Sequence, residues 1–422
     1  MQTSVSRLLT LGLLVATPAV AEEWGSFRGP QHNGLATAPT SVRGWDRAKL
    51  KTVWKQDTPA GFSSFAVAGG KAYTIVTGDD DGNPVEMLVC RDAATGKSLW
   101  EEPLSIVAKY DGGGDSGEDG NKGGDGPRSS PVVDDGMVYC IDANLGVHCF
   151  DANSGKVVWQ HDVLKDNSGV NIRWQNAASP LIDGDLLLMA GGGKGQALLG
   201  LDKKTGSVRW KGQNDLMTHA TPVPADILGV HQVIFFTQEG LVSVNPADGA
   251  VLWRAAFPYK VSTAASPVVF EDIVYCSAGY GVGAGAFKIK KSGSQLEAEP
   301  IWRRENECFN HWSTPVVKDG YLYGMFSFKE YGKGPLACVD IRTGKDQWKE
   351  DGFGPGQVIL AGDDVIALSD KGEVVVVKAT PDSYQELLRK DVLDGKVWSY
   401  PVLAYDHLFA RSTEQGVCIE FK

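Results

Sequence analysis

Residues 129–159 read SSPVVDDGMVYCIDANLGVHCFDANSGKVVW, and the fold can be inferred from this stretch. Three tight-turn signals, at 134–136, 144–146 and 154–155, separate four short runs rich in valine and aromatic residues. Turn residues between short apolar runs are typical of β-hairpins. The stretch therefore predicts four antiparallel strands, the last of which contains Trp159.

The ending of this stretch recurs along the chain. Five segments share an Asp or Asn, a Gly and a final Trp: residues 92–100 (DAATGKSLW), 151–159 (DANSGKVVW), 202–210 (DKKTGSVRW), 245–253 (NPADGAVLW) and 340–348 (DIRTGKDQW). Two looser copies end at Trp54 and Trp302, and successive tryptophans lie 43 to 59 residues apart. A period of that length with four strands per unit predicts the blades of a β-propeller. Each indole is expected to cover the joint between neighbouring sheets, so these residues are structural.

Two weaker units decide the number of blades. Residues 357–388 keep the strand pattern but lack the final tryptophan, and residues 400–422 supply only three strands. Residues 50–54 (LKTVW) would supply the missing fourth strand and pair the two ends of the repeat region, which leaves no free edge in the ring. We therefore predict an all-β, eight-bladed propeller over residues 50–422. Seven blades would follow if one of the weak units were a loop.

Composition and the N-terminus limit where the protein acts. The 422 residues carry a net charge of −11, which argues against nucleic acid or an anionic membrane as a partner. Residues 1–21 combine one arginine, the apolar run 8–15 and a small-residue cleavage site at 19–21, which predicts a secretory signal peptide. The apolar run is too short for a membrane anchor. No cysteine precedes Cys90, so we expect an unlipidated periplasmic or secreted protein.

The seven cysteines lack the spacing of a disulfide framework. Most occupy repeated positions in the blades and are predicted to be small core residues: Cys90, Cys149, Cys338 and Cys418 in one position, and Cys140 and Cys276 in another. One pair stays open. Cys140 and Cys149 would face one another and could form a disulfide if the hairpin turn centres on residues 144–145.

The pattern S-P-V-V-x-D-G-x-V-Y, followed by D-x-x-T/S-G-K-x-x-W, resembles the pyrroloquinoline quinone (PQQ) repeat. That repeat is found in quinoprotein alcohol dehydrogenases and in BamB-type outer-membrane assembly proteins, so the resemblance implies the eight-bladed fold but not one function. Residues 24–30 (WGSFRGP) resemble the start of many exported members. We expect residues 22–49 to form an extension that packs across the base or rim of the ring.

In propellers, the loops that lead into the innermost strands converge on the central channel. Counting back from each Ser-Pro step or its equivalent gives a rim that includes Phe62, Pro127, Arg128, Asn176, Thr218, His219, Thr263, His311, Trp312, Phe353, Val397 and Trp398. We predict a cofactor or ligand site at Arg128, Asn176, His219, Trp312 and Trp398. A flat ligand with anionic edges would stack on Trp312 or Trp398 and pair with Arg128. The alternative is that these side chains plug the channel and satisfy one another.

The resemblance leaves two functions open. The first is an exported, monomeric scaffold that binds a protein or polymer on the channel face, without nucleic acid, membrane insertion or any assigned catalytic residue. The second is a PQQ-dependent alcohol or sugar dehydrogenase that uses PQQ and Ca²⁺. Such enzymes typically carry an adjacent Cys-Cys pair, an Asp base, and Glu and Asn calcium ligands. This chain has no adjacent cysteines and no C-x-x-C-H haem motif, although Asn176 and Asn310 lie near the right level of the rim.

The insertion at residues 109–128 (KYDGGGDSGEDGNKGGDGPR) is rich in glycine and carboxylates. Oxygen ligands on a pliable loop suit Ca²⁺, and the candidate ligands are Asp111, Asp115, Asp119 and Asp125. Their spacing fits neither the EF-hand nor the nonapeptide calcium repeat. A solvated acidic loop is the alternative.

Overall fold

The computed structural model describes residues 22–36, 50–106, 126–293 and 295–421, which form eight sheets arranged as propeller blades. The predicted all-β, eight-bladed fold is confirmed. Across these ranges the one α-helix is α1, Val163–Asp166. The described part of the chain therefore holds no helix with the length and apolar character of a membrane span. The predicted signal peptide, residues 1–21, lies outside the described residues.

The strands follow one another blade by blade. Two strands precede blade one in sequence: β1 (Leu35–Ala36) and β2 (Leu50–Asp57). Blades one to four contain β3 (Ala66–Ala68), β4 (Lys71–Asp80), β5 (Asn83–Asp92), β6 (Ser98–Ile106); β7 (Val132–Asp134), β8 (Met137–Ile141), β9 (Gly146–Asp151), β10 (Val157–Asp162); β11 (Leu181–Asp183), β12 (Leu186–Ala190), β13 (Leu198–Asp202), β14 (Val208–Gly212); and β15 (Val223–Ile227), β16 (Val230–Thr237), β17 (Gly240–Val244), β18 (Val251–Ala256).

Blades five to eight complete the ring. They contain β19 (Val268–Phe270), β20 (Ile273–Ala278), β21 (Gly283–Ser292), β22 (Gln295–Arg304); β23 (Val316–Lys318), β24 (Tyr321–Met325), β25 (Leu336–Asp340), β26 (Asp346–Glu350); β27 (Gln357–Ala361), β28 (Asp364–Leu368), β29 (Glu373–Lys378), β30 (Glu386–Asp391); and β31 (Val402–Ala404), β32 (His407–Arg411), β33 (Gln415–Phe421).

The two ends of the repeat region build the eighth blade together. Strand β2 pairs antiparallel with β33, with Trp54 opposite Cys418, and the sheet order is β2-β33-β32-β31. The weak unit β27 to β30 is a complete four-stranded sheet. The predicted closure is therefore confirmed, and the seven-bladed alternative is wrong.

The repeated tryptophans join neighbouring blades. The Trp159 Nε1–H donates to the carbonyl oxygen of Lys203 in the next blade (3.0 Å), and its indole covers Gly206. Gly206 has φ +70°, and a Cβ at that position would overlap the indole. The same contacts recur at Trp54 with Ala93 and Gly96, at Trp210 with Pro246 and Gly249, and at Trp302 with Ile341 and Gly344. The predicted role of the indoles at the joints is confirmed.

The turn before each tryptophan is closed by its own side chains. In blade two, Asp151 Oδ1 accepts hydrogen bonds from the Ser154 backbone N–H (2.8 Å) and hydroxyl (2.8 Å). Gly155 follows with φ +73°, a conformation that glycine adopts without steric cost. The Asp-x-x-Ser/Thr-Gly motif thus fixes the hairpin that delivers the indole to the joint.

Hydroxyl groups beside the innermost strands tie blades together around the channel. The Ser64 N–H donates to Ser130 Oγ (2.8 Å), the Ser130 N–H to Ser179 Oγ (2.9 Å), and the Ser179 N–H to Thr221 Oγ1 (2.9 Å). Each hydroxyl therefore satisfies a buried backbone donor of the adjacent blade. This explains in physical terms why a Ser or Thr stands before the proline of the repeat.

Blade seven breaks this series, because residues 354–357 (GPGQ) supply no hydroxyl. Tyr400 of blade eight spans the gap. Its hydroxyl accepts a hydrogen bond from the Thr314 N–H in blade six (2.7 Å), and its own N–H donates to Ser64 Oγ (2.7 Å).

Residues 22–36 cross one end of the channel, where the innermost strands turn back into the second strands. Trp24 pairs with Val67 of blade one, and β1 runs parallel to β27 of blade seven. Arg28 is 2% exposed, and its Nη2–H donates to the Pro315 carbonyl oxygen (2.7 Å). We refer to this end of the channel as the base.

Cys140 and Cys149 do not face one another. Asp142 Oδ1 accepts hydrogen bonds from the N–H groups of residues 144 and 146 in the hairpin loop. The register of the two strands is thereby shifted by one residue from the register that a disulfide would require. The register pairs Cys140 with His148, and the two cysteines point to opposite faces of the sheet. All seven thiols are free and buried. The disulfide alternative is wrong, and the core position of the cysteines is confirmed.

Candidate functional site

Two sets of loops meet at the end of the channel opposite the base, which we term the channel face. One set joins the outer strand of a blade to the inner strand of the next, and the other joins the second and third strands within a blade. All five predicted site residues lie on the first set: Arg128, Asn176, His219, Trp312 and Trp398.

Trp312 and Trp398 lie in direct contact, with ring centroids 4.5 Å apart. Phe62 stacks on Trp398 at 4.6 Å. The Gln357 Nε2–H group donates to the carbonyl oxygens of Trp398 (2.9 Å) and Trp312 (3.3 Å), and the Trp312 Nε1–H donates to Pro355 (2.9 Å). Both tryptophans are partly exposed, and their positions are fixed by these bonds.

Further rings continue from this pair along the channel face. Tyr331 is nearly parallel to Trp398 at 6.0 Å, and Tyr280 lies 5.2 Å from His311 and 4.7 Å from Phe328. Together they form what we term the aromatic band: Trp174, Tyr280, His311, Trp312, Phe328, Tyr331 and Trp398.

Four members of the aromatic band were not identified from the sequence: Trp174, Tyr280, Phe328 and Tyr331. Counting back from the Ser-Pro steps finds only the loops between blades, whereas three of these rings lie in loops within a blade. A signal was present. Residues 326–335 (FSFKEYGKGP) replace the short turn of other units with a long loop that carries two of the rings.

Arg128 and His219 lie at the other end of the band, beside Trp174. The Arg128 Nη1–H donates to the Trp174 carbonyl oxygen (3.0 Å). His219 Nε2 lies 2.9 Å from the Arg173 carbonyl oxygen and Nδ1 lies 2.9 Å from Ser262 Oγ, which requires Nε2 to carry the proton. Burial, and then the charge of Arg128, lowers the pKa of His219 to about 4, so the ring is neutral at pH 7.

Asn176 holds the backbone of its own loop. It is 3% exposed, its Nδ2–H donates to the Ala178 carbonyl oxygen (3.0 Å), and its Oδ1 accepts from the Ala178 N–H (3.0 Å). Of the five predicted residues, the structure places Trp312 beside Trp398 and Arg128 near His219, while the Asn176 amide is committed to the loop.

A flat cofactor such as PQQ cannot lie between the two tryptophans of the channel face, and the amide of Asn310 already has protein partners. A ring inserted between Trp312 and Trp398 would need about 7 Å, because each face requires roughly 3.5 Å, and the centroids are 4.5 Å apart. The Asn310 amide accepts from the Tyr275 hydroxyl (2.5 Å) and donates to Met325 (2.9 Å).

Among the described residues no three His, Cys, Asp or Glu side chains cluster closely enough to hold a metal ion. The candidate calcium ligands Asp111, Asp115, Asp119 and Asp125 lie outside the described residues, and calcium binding by residues 109–128 stays a prediction.

A groove of about 350 Å³ opens on the channel face next to Trp174. Loops of blades two to five form its walls, and its lining residues are Val170, Asn171, Ile172, Arg173, Leu216, Met217, Gln238, Tyr259, Lys260 and Val261. None of these ten described residues is acidic, and two are cationic. The groove combines apolar surface with positive charge in a chain of net charge −11.

Comparison with known proteins places the chain among propellers of this repeat. A family model described as outer membrane protein assembly factor BamB matches residues 86–384. The chain is 25% identical over 324 residues to the outer membrane protein assembly factor BamB of Moranella endobia, a match that covers 73% of this chain and 77% of that protein. It is 21% identical over 253 residues to BamB of Yersinia pestis, covering 57% and 61% respectively. The quinohemoprotein alcohol dehydrogenase of Comamonas testosteroni shares the fold, with a TM-score of 0.60 and 11% identity over 94% of this chain and 80% of that one.

Proposed function

Because the chain belongs to the family of the outer membrane protein assembly factor BamB, we propose that it is an exported binding protein that holds a segment of a partner polypeptide on its channel face. Because residues 1–21 are predicted to be a signal peptide, we propose that the protein acts in the periplasm or at the cell exterior. The observation that carries the proposal is the groove beside Trp174.

The groove has the apolar surface that a peptide side chain needs. Val170 is 46% exposed and Leu216 is 41% exposed at its edge, while Ile172 and Met217 are buried beneath them. Large apolar side chains exposed around a concavity mark interaction sites, because burying them against a partner removes their contact with water.

The walls of the groove are preformed. The Val170 N–H donates to Gly191 (3.0 Å), the Gln238 N–H donates to Leu216 (2.9 Å), and the Gln238 side chain donates to Met217 (2.9 Å). Three separate loops are thereby pinned by backbone hydrogen bonds. A partner that enters such a groove loses less free energy to ordering of the protein than one that binds flexible loops.

The charge of the groove specifies the chemistry of the partner. Arg173 and Lys260 are exposed, and no carboxylate lines the ten-residue wall. Opposite charges across an interface steer association and select partners. We therefore propose that the bound segment carries leucine-like side chains next to aspartate or glutamate. The dehydrogenase alternative draws on a likeness of fold alone.

The experiment uses short fluorescent peptides that combine leucine with aspartate, and measures their binding to the full chain by fluorescence anisotropy. Arg173→Glu and Lys260→Glu should each weaken binding about tenfold, which corresponds to about 1.4 kcal/mol. Lys51→Glu makes the same charge change on an exposed outer strand and is the matched control. Equal affinity for lysine-containing peptides, or equal effects of all three variants, would contradict the proposal.

A further inference from the structure

The two cationic residues of the groove both lead to the loop that carries Tyr280, residues 279–282. Lys260 Nζ lies 3.5 Å from the carbonyl oxygen of Gly281. The Arg173 guanidinium lies over the Trp174 ring, 4.7 Å from its centroid, and Trp174 is nearly parallel to Tyr280 at 6.4 Å. The surface of the groove is therefore continuous with the loop of Tyr280 by two separate contacts.

A third cationic residue lies against Tyr280. Lys329, on the loop of residues 326–335 in blade six, places its Nζ 5.1 Å from the centroid of Tyr280 and 5.0 Å from that of Phe328. Contacts of this length attract an ammonium group to an aromatic face. Lys329 is exposed, so the two rings position its charge where a ligand can reach it.

The positive charges of this surface have no carboxylate partner in the protein. Within the described part of the chain, no carboxylate lies at ion-pair distance from the charged nitrogens of Arg173, Lys260 or Lys329. The neighbouring Glu330 is turned back into its own loop, because its Oε2 accepts from the Ser327 hydroxyl (2.6 Å) and the Phe328 N–H (2.6 Å).

The other titratable groups near Lys329 leave the surface cationic. The loop of residues 326–335 also carries Lys333, so two lysines stand against one glutamate. Burial is the main reason that the pKa of His311 is lowered to about 3, so this ring adds no charge at pH 7. The surface beyond the groove therefore attracts anionic groups.

The distance from Arg173 to Lys329 suits one extended polypeptide segment. The three contacts that join the two charges measure 4.7, 6.4 and 5.1 Å. The charges are thus no farther apart than about 17 Å, which is the length of five residues in extended conformation. A segment that places one carboxylate on Arg173 can place a second on Lys329 within the next five residues.

We propose that Lys329 binds a second acidic residue of the partner segment, which follows within about five residues of the one that meets Arg173. This inference rests on the proposed function and names a specificity-determining residue for it. The leucine-like side chain anchors the segment in the groove, and Lys329 selects segments with two acidic residues over segments with one. Because an exposed ion pair is weak, the selection should amount to about two- to fivefold in affinity.

The test measures the binding of two fluorescent peptides to the full chain by fluorescence anisotropy. Both contain leucine and one aspartate, and they differ in having either Asp or Asn four residues after that aspartate. The peptide with two aspartates should bind about two- to fivefold more tightly. Lys329→Gln should abolish this gain and leave the affinity for the Asn peptide unchanged, which a general loss of structure would not do.

Lys333→Gln is the matched control, because Lys333 is an exposed lysine of the same loop that makes no ring contact among the described residues. This variant should retain the gain. Lys329 is itself exposed, so its substitution removes no buried contact, and thermal melts of both variants should match that of the unmodified chain.

The outcomes separate this inference from the proposed function. If neither peptide binds the unmodified chain, both fail. If the two peptides bind equally, or if Lys329→Gln weakens both alike, the groove retains its role and Lys329 does not select the second acidic residue. Equal loss of the gain in Lys333→Gln would attribute it to the overall charge of the loop. Heparin that binds more tightly than either peptide, and binds Lys329→Gln more weakly, would overturn the assignment to a polypeptide.

Discussion

Tryptophan side chains at the joints between blades differ in burial and in contacts from those at the channel face. Trp159 at a joint is 8% exposed, donates to the next blade and covers a glycine that permits its approach. Trp312 at the channel face is partly exposed and packs against Trp398 and His311. At the joints the same residue type recurs in register with the repeat, whereas equivalent positions at the channel face carry different residue types from blade to blade.

Recurrence of a residue type separates structural from functional positions in a repeat protein. A position that serves the contact between two blades is required at most joints, so it recurs. A position that serves one ligand is required once. Tyr400 is the instructive exception: it departs from the repeat, yet its hydroxyl replaces the missing Ser-type contact of blade seven and is structural.

The greatest loss of stability is expected from a substitution at a joint between blades. Trp159→Ala should lower the free energy of unfolding by about 3–5 kcal/mol, because it removes a buried indole and leaves a cavity between two blades. Trp312→Ala should cost no more than about 2 kcal/mol, since its ring is partly exposed. Chemical denaturation followed by circular dichroism measures both. Equal losses would remove the distinction between the joints and the channel face.

An intermediate effect is expected where the repeat is interrupted. Tyr400→Phe removes the hydroxyl that accepts from the buried Thr314 N–H, and an unpaired buried donor costs about 1–3 kcal/mol. Tyr405→Phe is the matched control, because the Tyr405 hydroxyl bonds the exposed Gly70 N–H and Glu23. Its loss should cost less than about 0.5 kcal/mol. If both variants are equally stable, Tyr400 does not bridge blades six and eight.

The sequence predicted the fold well because the fold rests on local signals that repeat. The Asp-x-x-Ser/Thr-Gly turn and the indole after it act within one hairpin and its neighbour, so the closure by β2 and β33 could be inferred as well. Three of the seven members of the aromatic band, His311, Trp312 and Trp398, were found because their positions can be counted back from a repeated proline.

The rest of the site depends on contacts that no local pattern records. Tyr331 meets Trp398 across two blades, and the contact of Lys329 with Tyr280 is evident only once the loops are placed together. The disulfide alternative failed through a shift of one residue, set by the Asp142 side chain in the hairpin loop. The register of this hairpin is set by side-chain hydrogen bonds in its loop, which secondary-structure propensity does not predict.

Substitution of a histidine is expected to change the stability least at neutral pH. The pKa values of the histidines nevertheless differ strongly between the two ends of the channel. At the base, His231 lies between Asp183 of blade three (3.0 Å) and Asp226 of blade four (3.0 Å). Burial lowers its pKa, but the hydrogen bonds to the two carboxylates outweigh this, and the net pKa is raised above 6.5. At the channel face, the pKa of His219 is lowered to about 4.

The two histidines should therefore respond to pH with opposite sign. The unfolded chain binds a proton at His219 below about pH 6.5 and the folded chain does not until about pH 4, so stability falls with falling pH over that interval, by at most about 1.4 kcal/mol per pH unit. His219→Gln should flatten this slope.

His231 contributes stability that is present below pH 6.5 and lost as the pH rises through its raised pKa, so His231→Gln should destabilise the chain at pH 6 and have little effect at pH 9. Thermal melts of the three proteins across pH 4.5–9 measure the slopes, and slopes that change in the same direction for both variants would show that the channel face does not hold its histidine neutral.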